Sequence, residues 1–178
     1  MSEFEKRVVI MFAKPYSRAL DNFSALISSV PLLFVFWIAV SMSILISDLV
    51  KGTFVILGLA IVFIEHFIIS EGIFKWGGYK FSLKRLRPYV AYPKLIKPVG
   101  RKFQDSSLPS SHLASMVGGL VVLVFFYNFI WPIAIFLTLL LAWSRIRNGM
   151  HYPSDILIGI ALGLTYGYLA LEIINFLF

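Results

Sequence analysis

Twelve consecutive residues, Ser144-Arg145-Ile146-Arg147-Asn148-Gly149-Met150-His151-Tyr152-Pro153-Ser154-Asp155, set ionisable groups between two strongly apolar segments. Such groups must be solvated, paired or ligand-bound, because a charge at mid-bilayer costs roughly 2.5–3.5 kcal/mol. Two more polar islands, residues 80–88 and 109–112, add Lys80, Arg87, Ser110, Ser111 and His112. Together these are the groups that phosphoryl transfer demands. A phosphate ester carries its charge on oxygens that repel a nucleophile. Catalysis therefore needs cations and N–H donors around phosphorus, an activated nucleophile, and an acid for the leaving oxygen. Lys80, Arg87 and Arg145 can supply the cations, and arginine suits bidentate phosphate binding. His151, with Asp155 four residues on to orient it, fits the nucleophile, and a protonated His112 fits the acid.

These groups need elements that bring them to one place. Residues 30–47 are apolar or small and long enough to cross a hydrocarbon core of roughly 30 Å. Further apolar segments cover 53–74, 109–129, 131–144 and 153–178. Five spans put the N-terminus, the 75–107 loop and the 144–152 loop on one side, so all three polar islands meet at one membrane face. Trp76, Trp131 and Trp143 fall near span ends, as interfacial aromatics do. Pro109 and Pro153 suit the first turn of a helix. Ser110, Ser111 and His112 then sit at the positive end of the third span, where backbone N–H groups favour a phosphate. Gly159, Gly163 and Gly167 on the fifth span, and Ser111, Ser115 and Gly119 on the third, recur at four-residue spacing. Small residues at that spacing let membrane helices approach closely, and this predicted packing carries His112 towards His151.

The chain of 178 residues is 59% hydrophobic, too apolar for an ordinary soluble domain. The expected fold is all-α: one integral membrane helical bundle over 1–178, with about five transmembrane helices and an N-terminal amphipathic helix. That amphipathic segment is 1–22, where Lys6, Arg7, Lys14 and Arg18 alternate with apolar residues as on a helix lying on a membrane surface. The apolar run 8–13 is short for a signal peptide. Residues 75–107 form a basic loop with nine Lys or Arg against one acid, Asp105. Without cysteine, disulfides and thiolate metal sites are excluded. The net charge of +7 suits anionic lipid head groups or a phosphate substrate. No nucleic-acid recognition motif accompanies it, so nucleic acid is not an expected partner.

Lys80-x6-Arg87-Pro88, Pro109-Ser110-Ser111-His112 and Ser144-Arg145-x5-His151-x3-Asp155 stand in the order and spacing of a known three-part signature. Over residues 80–155 the chain resembles the type 2 phosphatidic acid phosphatase superfamily, which also includes bacterial acid phosphatases and vanadium haloperoxidases. The resemblance implies that Lys80, Arg87 and Arg145 hold the phosphate, with Ser110, Ser111 and their backbone amides completing the cradle. It implies His112 as general acid, His151 as the nucleophile forming a phosphohistidine, Asp155 as its orienting partner, and neither metal nor cofactor. One position departs: Ser111 stands where the family usually has glycine. Serine keeps the backbone N–H and adds a hydroxyl, so activity is expected to survive in a slightly smaller pocket. The chain also has one span fewer than six-span members.

The activity implied is that of a membrane lipid phosphatase, resembling bacterial or archaeal members. Lipid A 1-phosphate, phosphatidylglycerol phosphate, undecaprenyl diphosphate and phosphatidic acid remain open as substrates. A haloperoxidase-like vanadate-binding enzyme is one alternative, and membrane embedding argues against it. A non-catalytic lipid-binding or transport protein of the same fold is another, and intact His112, His151 and Asp155 argue against that. Lys84, Arg85, Lys94, Lys97, Arg101 and Lys102 read as head-group contacts or solvated charges. Glu65 and His66 are intramembrane ionisable groups, either functional or bonding between helices. All Lys and Arg but Lys51 fall on the site's side, which by the positive-inside rule points that face to the cytoplasm. Resemblance to bacterial members points it outward. The expected placement is a bacterial inner or archaeal cytoplasmic membrane, with the site on the periplasmic or outer face.

Overall fold

The computed structural model describes residues 3–13, 17–77, 84–103 and 105–178, and among them every regular element is helical. The N-terminal segment is two helices, α1 (Glu3–Phe12) and α2 (Arg18–Ile27), where one amphipathic segment over 1–22 is expected. Ser17 accounts for the second start: its backbone is extended and its hydroxyl accepts the Leu20 N–H at 3.2 Å, an N-cap. α1 does not lie free on a surface, because Val9 is buried with Ala13 against Ile96 and Tyr152.

α3 (Val30–Ser47) and α4 (Leu49–Glu65) are joined by Asp48 alone, whose carboxylate caps α4 through the Lys51 N–H at 3.0 Å. α4 continues without a break into a π-helix, His66–Trp76, so the second span runs longer than the predicted 53–74. After the short α5 (Pro88–Ala91) come α6 (Ser111–Phe126), a 3-10 turn, α7 (Trp131–Arg147) and α8 (Pro153–Leu177). Pro153 opens α8 as expected. Pro109 does not open α6; Ser110 is its extended N-cap, so the helix begins at Ser111.

Val30–Ser47, Leu49–Trp76, Asn128–Arg147 and Pro153–Leu177 are long and apolar enough to cross a membrane, and Ser111–Phe126 is a shorter apolar helix. The chain is an all-α membrane bundle. Val35, Ile46, Ile64, Leu139 and Phe176 point outward, a surface suited to hydrocarbon. α6 is the buried axis, with Leu113, Val117 and Leu120 in one apolar cluster with Trp37 of α3 and Leu59 of α4.

The closest packing joins α6 to α8. A Cβ on Gly163 would lie 2.6 Å from the Ala114 carbonyl oxygen, and one on Gly159 2.7 Å from that of Ser110. The glycine stripe of α8 therefore packs on α6 as its spacing predicts. The matching face of α6 is not the expected one, for Ser110, Ala114 and Gly118 meet α8. Each precedes Ser111, Ser115 or Gly119 by one residue, and one residue turns a helix by about 100°. Gly119 consequently abuts Trp37, and Ser111 reaches Glu71.

Candidate active site

The end of α7 sets the first wall. Gly149, with φ of +68°, takes a conformation that favours glycine, and its N–H bonds the Ile146 carbonyl at 2.9 Å. The Met150 N–H bonds the Arg145 carbonyl at 3.1 Å, completing a Schellman turn. This reversal folds His151 back on Arg145, whose Nη2 lies 3.2 Å from His151 Nε2. Arg87, extended as a residue before proline must be, brings Nη1 to 3.4 Å from the same nitrogen. Arg87, Arg145 and His151 are all buried.

The tautomer of His151 follows from its neighbours. Nδ1 lies 2.7 Å from the Ser107 carbonyl oxygen, which only accepts, so Nδ1 carries the proton. Guanidinium groups only donate, so Nε2 presents its lone pair between Arg87 and Arg145. Burial pushes the imidazole well below its usual range, and the charges of Arg145 and Arg87 push it further. A neutral, oriented nitrogen facing two cations is the arrangement a phosphorus nucleophile requires.

Asp155 stands differently from expectation. Its Oδ2 is 3.8 Å from His151 Nδ1, beyond a hydrogen bond, and accepts the Tyr152 N–H at 2.8 Å instead. Its Oδ1 takes a charge-assisted bond from Arg85 Nη1 at 2.7 Å. The direct orienting contact on His151 is thus a backbone carbonyl, with the Asp155 carboxyl a step further from the ring. Arg85 is no solvated charge: its side chain is 21% exposed, it also pairs with Glu5 of α1 at 2.9 Å, and its guanidinium lies over the Tyr152 ring.

His112 lies in the first turn of α6, with Nε2 3.1 Å from the Ser28 carbonyl oxygen beyond α2. Nε2 therefore donates, and Nδ1 is the nitrogen able to exchange a proton. Ser110 is buried, and its backbone N–H is taken by the Asp155 carbonyl at 3.1 Å, a bond that ties the starts of α6 and α8 together. Its hydroxyl and the Nε atoms of Arg87 and Arg145 are buried without a protein partner, which suits donors kept for an anion. Lys80 lies outside the described residues, as does Lys14.

One cavity of about 540 Å³ joins these groups. Arg87, His112, Arg145 and His151 line its polar end, and Val30, Leu33 and Phe34 of α3 face Phe63 and Phe67 across its apolar end. Sequence reasoning missed Phe103, whose ring lies 5.2 Å from Arg87 Cζ and 5.8 Å from Arg145 Cζ. It also missed Ser107, Glu71, the catalytic-side use of Asp105, and Lys75. A repeat of four residues through Phe63, Phe67, Glu71 and Lys75 is the signal that could have found the last of these.

An all-α membrane bundle that converges two arginines and two histidines at the head of an apolar cavity defines an integral membrane protein with buried cations lining an internal cavity. The PAP2 superfamily matches residues 52–178, and the chain belongs to that superfamily. It is 31% identical over 97 residues to an undecaprenyl-diphosphatase of Sulfolobus acidocaldarius, covering 53% of this chain and 46% of that protein. It is 38% identical over 105 residues to a decaprenylphosphoryl-5-phosphoribose phosphatase of Mycobacterium tuberculosis, covering 58% of each. The matches thus span about half the length of these relatives. No solved structure matches the chain.

Proposed function

We propose that this protein is a membrane phosphatase that removes phosphate from a lipid-linked phosphate through a phosphohistidine. The observation that carries this reading is the His151 tautomer: Nδ1–H is committed to Ser107, and Nε2 is directed between two guanidinium groups. The superfamily supports it, as do relatives named for removing phosphate from polyprenyl lipids.

The lipid tail occupies the apolar end of the cavity, and its phosphate rests on Arg87 and Arg145. His151 Nε2 attacks phosphorus, forming the P–N bond as the bond to the lipid-side oxygen breaks. That oxygen takes the Nδ1 proton of His112, which becomes imidazolium by taking up a proton together with the anionic phosphate while Nε2–H stays on the Ser28 carbonyl. Water then gives a proton to Nδ1 and attacks phosphorus, the P–N bond breaks, and inorganic phosphate leaves.

His151→Ala should lower phosphate release by about 10⁴-fold or more, as loss of a nucleophile does. Thermal unfolding in detergent should stay close to wild type. Turnover near the wild-type rate in the folded variant would refute this reading.

The site faces the periplasm or its archaeal equivalent. Lys75, Arg85, Arg87 and Arg147 are held in internal ion pairs and so contribute little to a positive-inside bias. An impermeant thiol reagent should label Lys97→Cys in intact cells; protection until lysis would reverse the orientation.

A further inference from the structure

The stripe Phe63, Phe67, Glu71 and Lys75 lines the cavity from its apolar end to its polar end. In an α-helix, residues four apart drift by about 40° per step. The wider turn of the π-helix His66–Trp76 absorbs that drift and keeps the last two residues on the cavity face. Lys75, only 6% exposed, lies 3.0 Å from Glu71 and 2.9 Å from Asp105 Oδ2. The other oxygen of that same carboxylate lies 2.6 Å from Arg87. One acidic group therefore spans a cation of the phosphate cradle and a cation outside it. Asp105, half-buried on the loop before α6, is the least buried member of this set, and the Arg87 and Lys75 charges outweigh its burial to hold its carboxyl below the usual range. Glu71 fixes the lysine from the opposite side and is itself held by the Ser111 hydroxyl at 2.5 Å. The family departure at Ser111 is thus one end of a chain of contacts that places Lys75.

The geometry points to a second anion subsite at Lys75, bridged to Arg87, which takes a further phosphoryl group lying between the scissile phosphate and the lipid tail. It rests on the phosphatase reading for the identity of the first subsite. Lys75 lines the same cavity as Arg145, His151 and the Phe63–Phe67 end and shares Asp105 with Arg87, so a linking group that displaces Asp105 meets this cation. The class selected is a lipid diphosphate, or a lipid whose terminal phosphate is joined through a phosphodiester. A lipid bearing a single phosphomonoester leaves Lys75 unused. Glu71 and Ser111 are positioning residues.

The test uses the full chain in detergent and two non-hydrolysable probes with one tail, farnesyl methylenebisphosphonate and farnesyl phosphonate, with binding read by calorimetry. Lys75→Met should weaken the bisphosphonate by about 10- to 100-fold, the loss expected for a charge-assisted contact. It should change the monophosphonate less than threefold, and Lys75→Arg should restore most of the difference. Equal loss for both probes in a variant with wild-type thermal unfolding, or no loss for either, overturns the subsite. If Lys75→Met does not fold, Lys75→Gln carries the same criteria. Turnover separates the two readings. Selective binding without phosphate release by wild type defeats the phosphatase and leaves the subsite standing, whereas turnover without a Lys75-dependent difference defeats only the subsite.

Discussion

Arg85 holds Asp155 by a 2.7 Å bond, and that carboxylate has no exposed surface. The expected pairing of Asp155 with His151 gives way to this one, which sets a guanidinium against the buried carboxyl. Arg85→Ala should therefore leave that buried carboxyl without its cation. We expect a loss of about 3 kcal/mol or more in unfolding free energy, and a fall in kcat larger than the change in KM. Arg85→Lys should recover stability ahead of kcat, since one ammonium replaces a fork that bonds Asp155, Ser154 and Glu5. Equal recovery of both would show that charge alone suffices.

The pH dependence should carry the mark of the buried histidine. Burial and the Arg145 and Arg87 charges depress His151. Its imidazole stays neutral well below the usual range. The acid limb of kcat/KM that belongs to His151 should accordingly lie below about pH 6.5. Arg145→Gln removes a cation and should move that limb upward, while the substrate's own ionisation is common to both enzymes. The same depression acts on stability: below about pH 6.5 the unfolded chain binds a proton that the folded one refuses, so stability falls as pH falls. A limb that stays put in Arg145→Gln would assign it to another group.

Close approach of α6 and α8 is what keeps His112 and His151 on one cavity. Gly163→Val forces atoms into the Ala114 carbonyl and Val117. Overpacking of this kind costs about 1–3 kcal/mol, and the two helices must part to relieve it. Phosphate release should drop by more than the stability loss accounts for, and Gly163→Ala should fall between. Unchanged activity in the valine variant would place the alignment of the histidines elsewhere.

Ser111→Gly restores the residue usual in the family and removes the hydroxyl that holds Glu71. Phosphomonoester turnover should persist. For a diphosphate lipid, KM should rise by about three- to tenfold with kcat little changed, the scale of one hydrogen bond. A fall in kcat with constant KM would put Ser111 in the chemical step.

Much of this architecture is legible in the chain. The spans announce themselves by unbroken apolar length, and the three polar islands by ionisable residues that a bilayer would not tolerate unpaired. Arg87, Arg145, His112 and His151 line the same cavity as their motifs require. What escapes the sequence is of a different kind. Ser107 acts through its backbone carbonyl, which any residue could offer. Arg85 finds its partner Glu5 in a helix eighty positions away, and nothing local records that. The face that α6 turns to α8 differs from its serine stripe by a single step, because both faces carry small residues. The π-winding past His66 has no compositional signature, so the four-residue repeat through Lys75 reads as a drifting pattern until the backbone is known.

The contact between Glu5 and the start of α8 bears on how this protein must be handled. Glu5 bonds the Ser154 hydroxyl and N–H, and pairs with Arg85; although burial raises its carboxyl, these bonds and the Arg85 charge outweigh it and hold it below the usual range. α1 meanwhile turns Phe4 and Met11 outward. Extraction into a detergent that competes for those side chains would peel the helix away and slacken the Arg85–Asp155 contact while the spanning bundle stays intact. Preparations of equal purity and equal melting temperature would then differ in specific activity according to the amphiphile used.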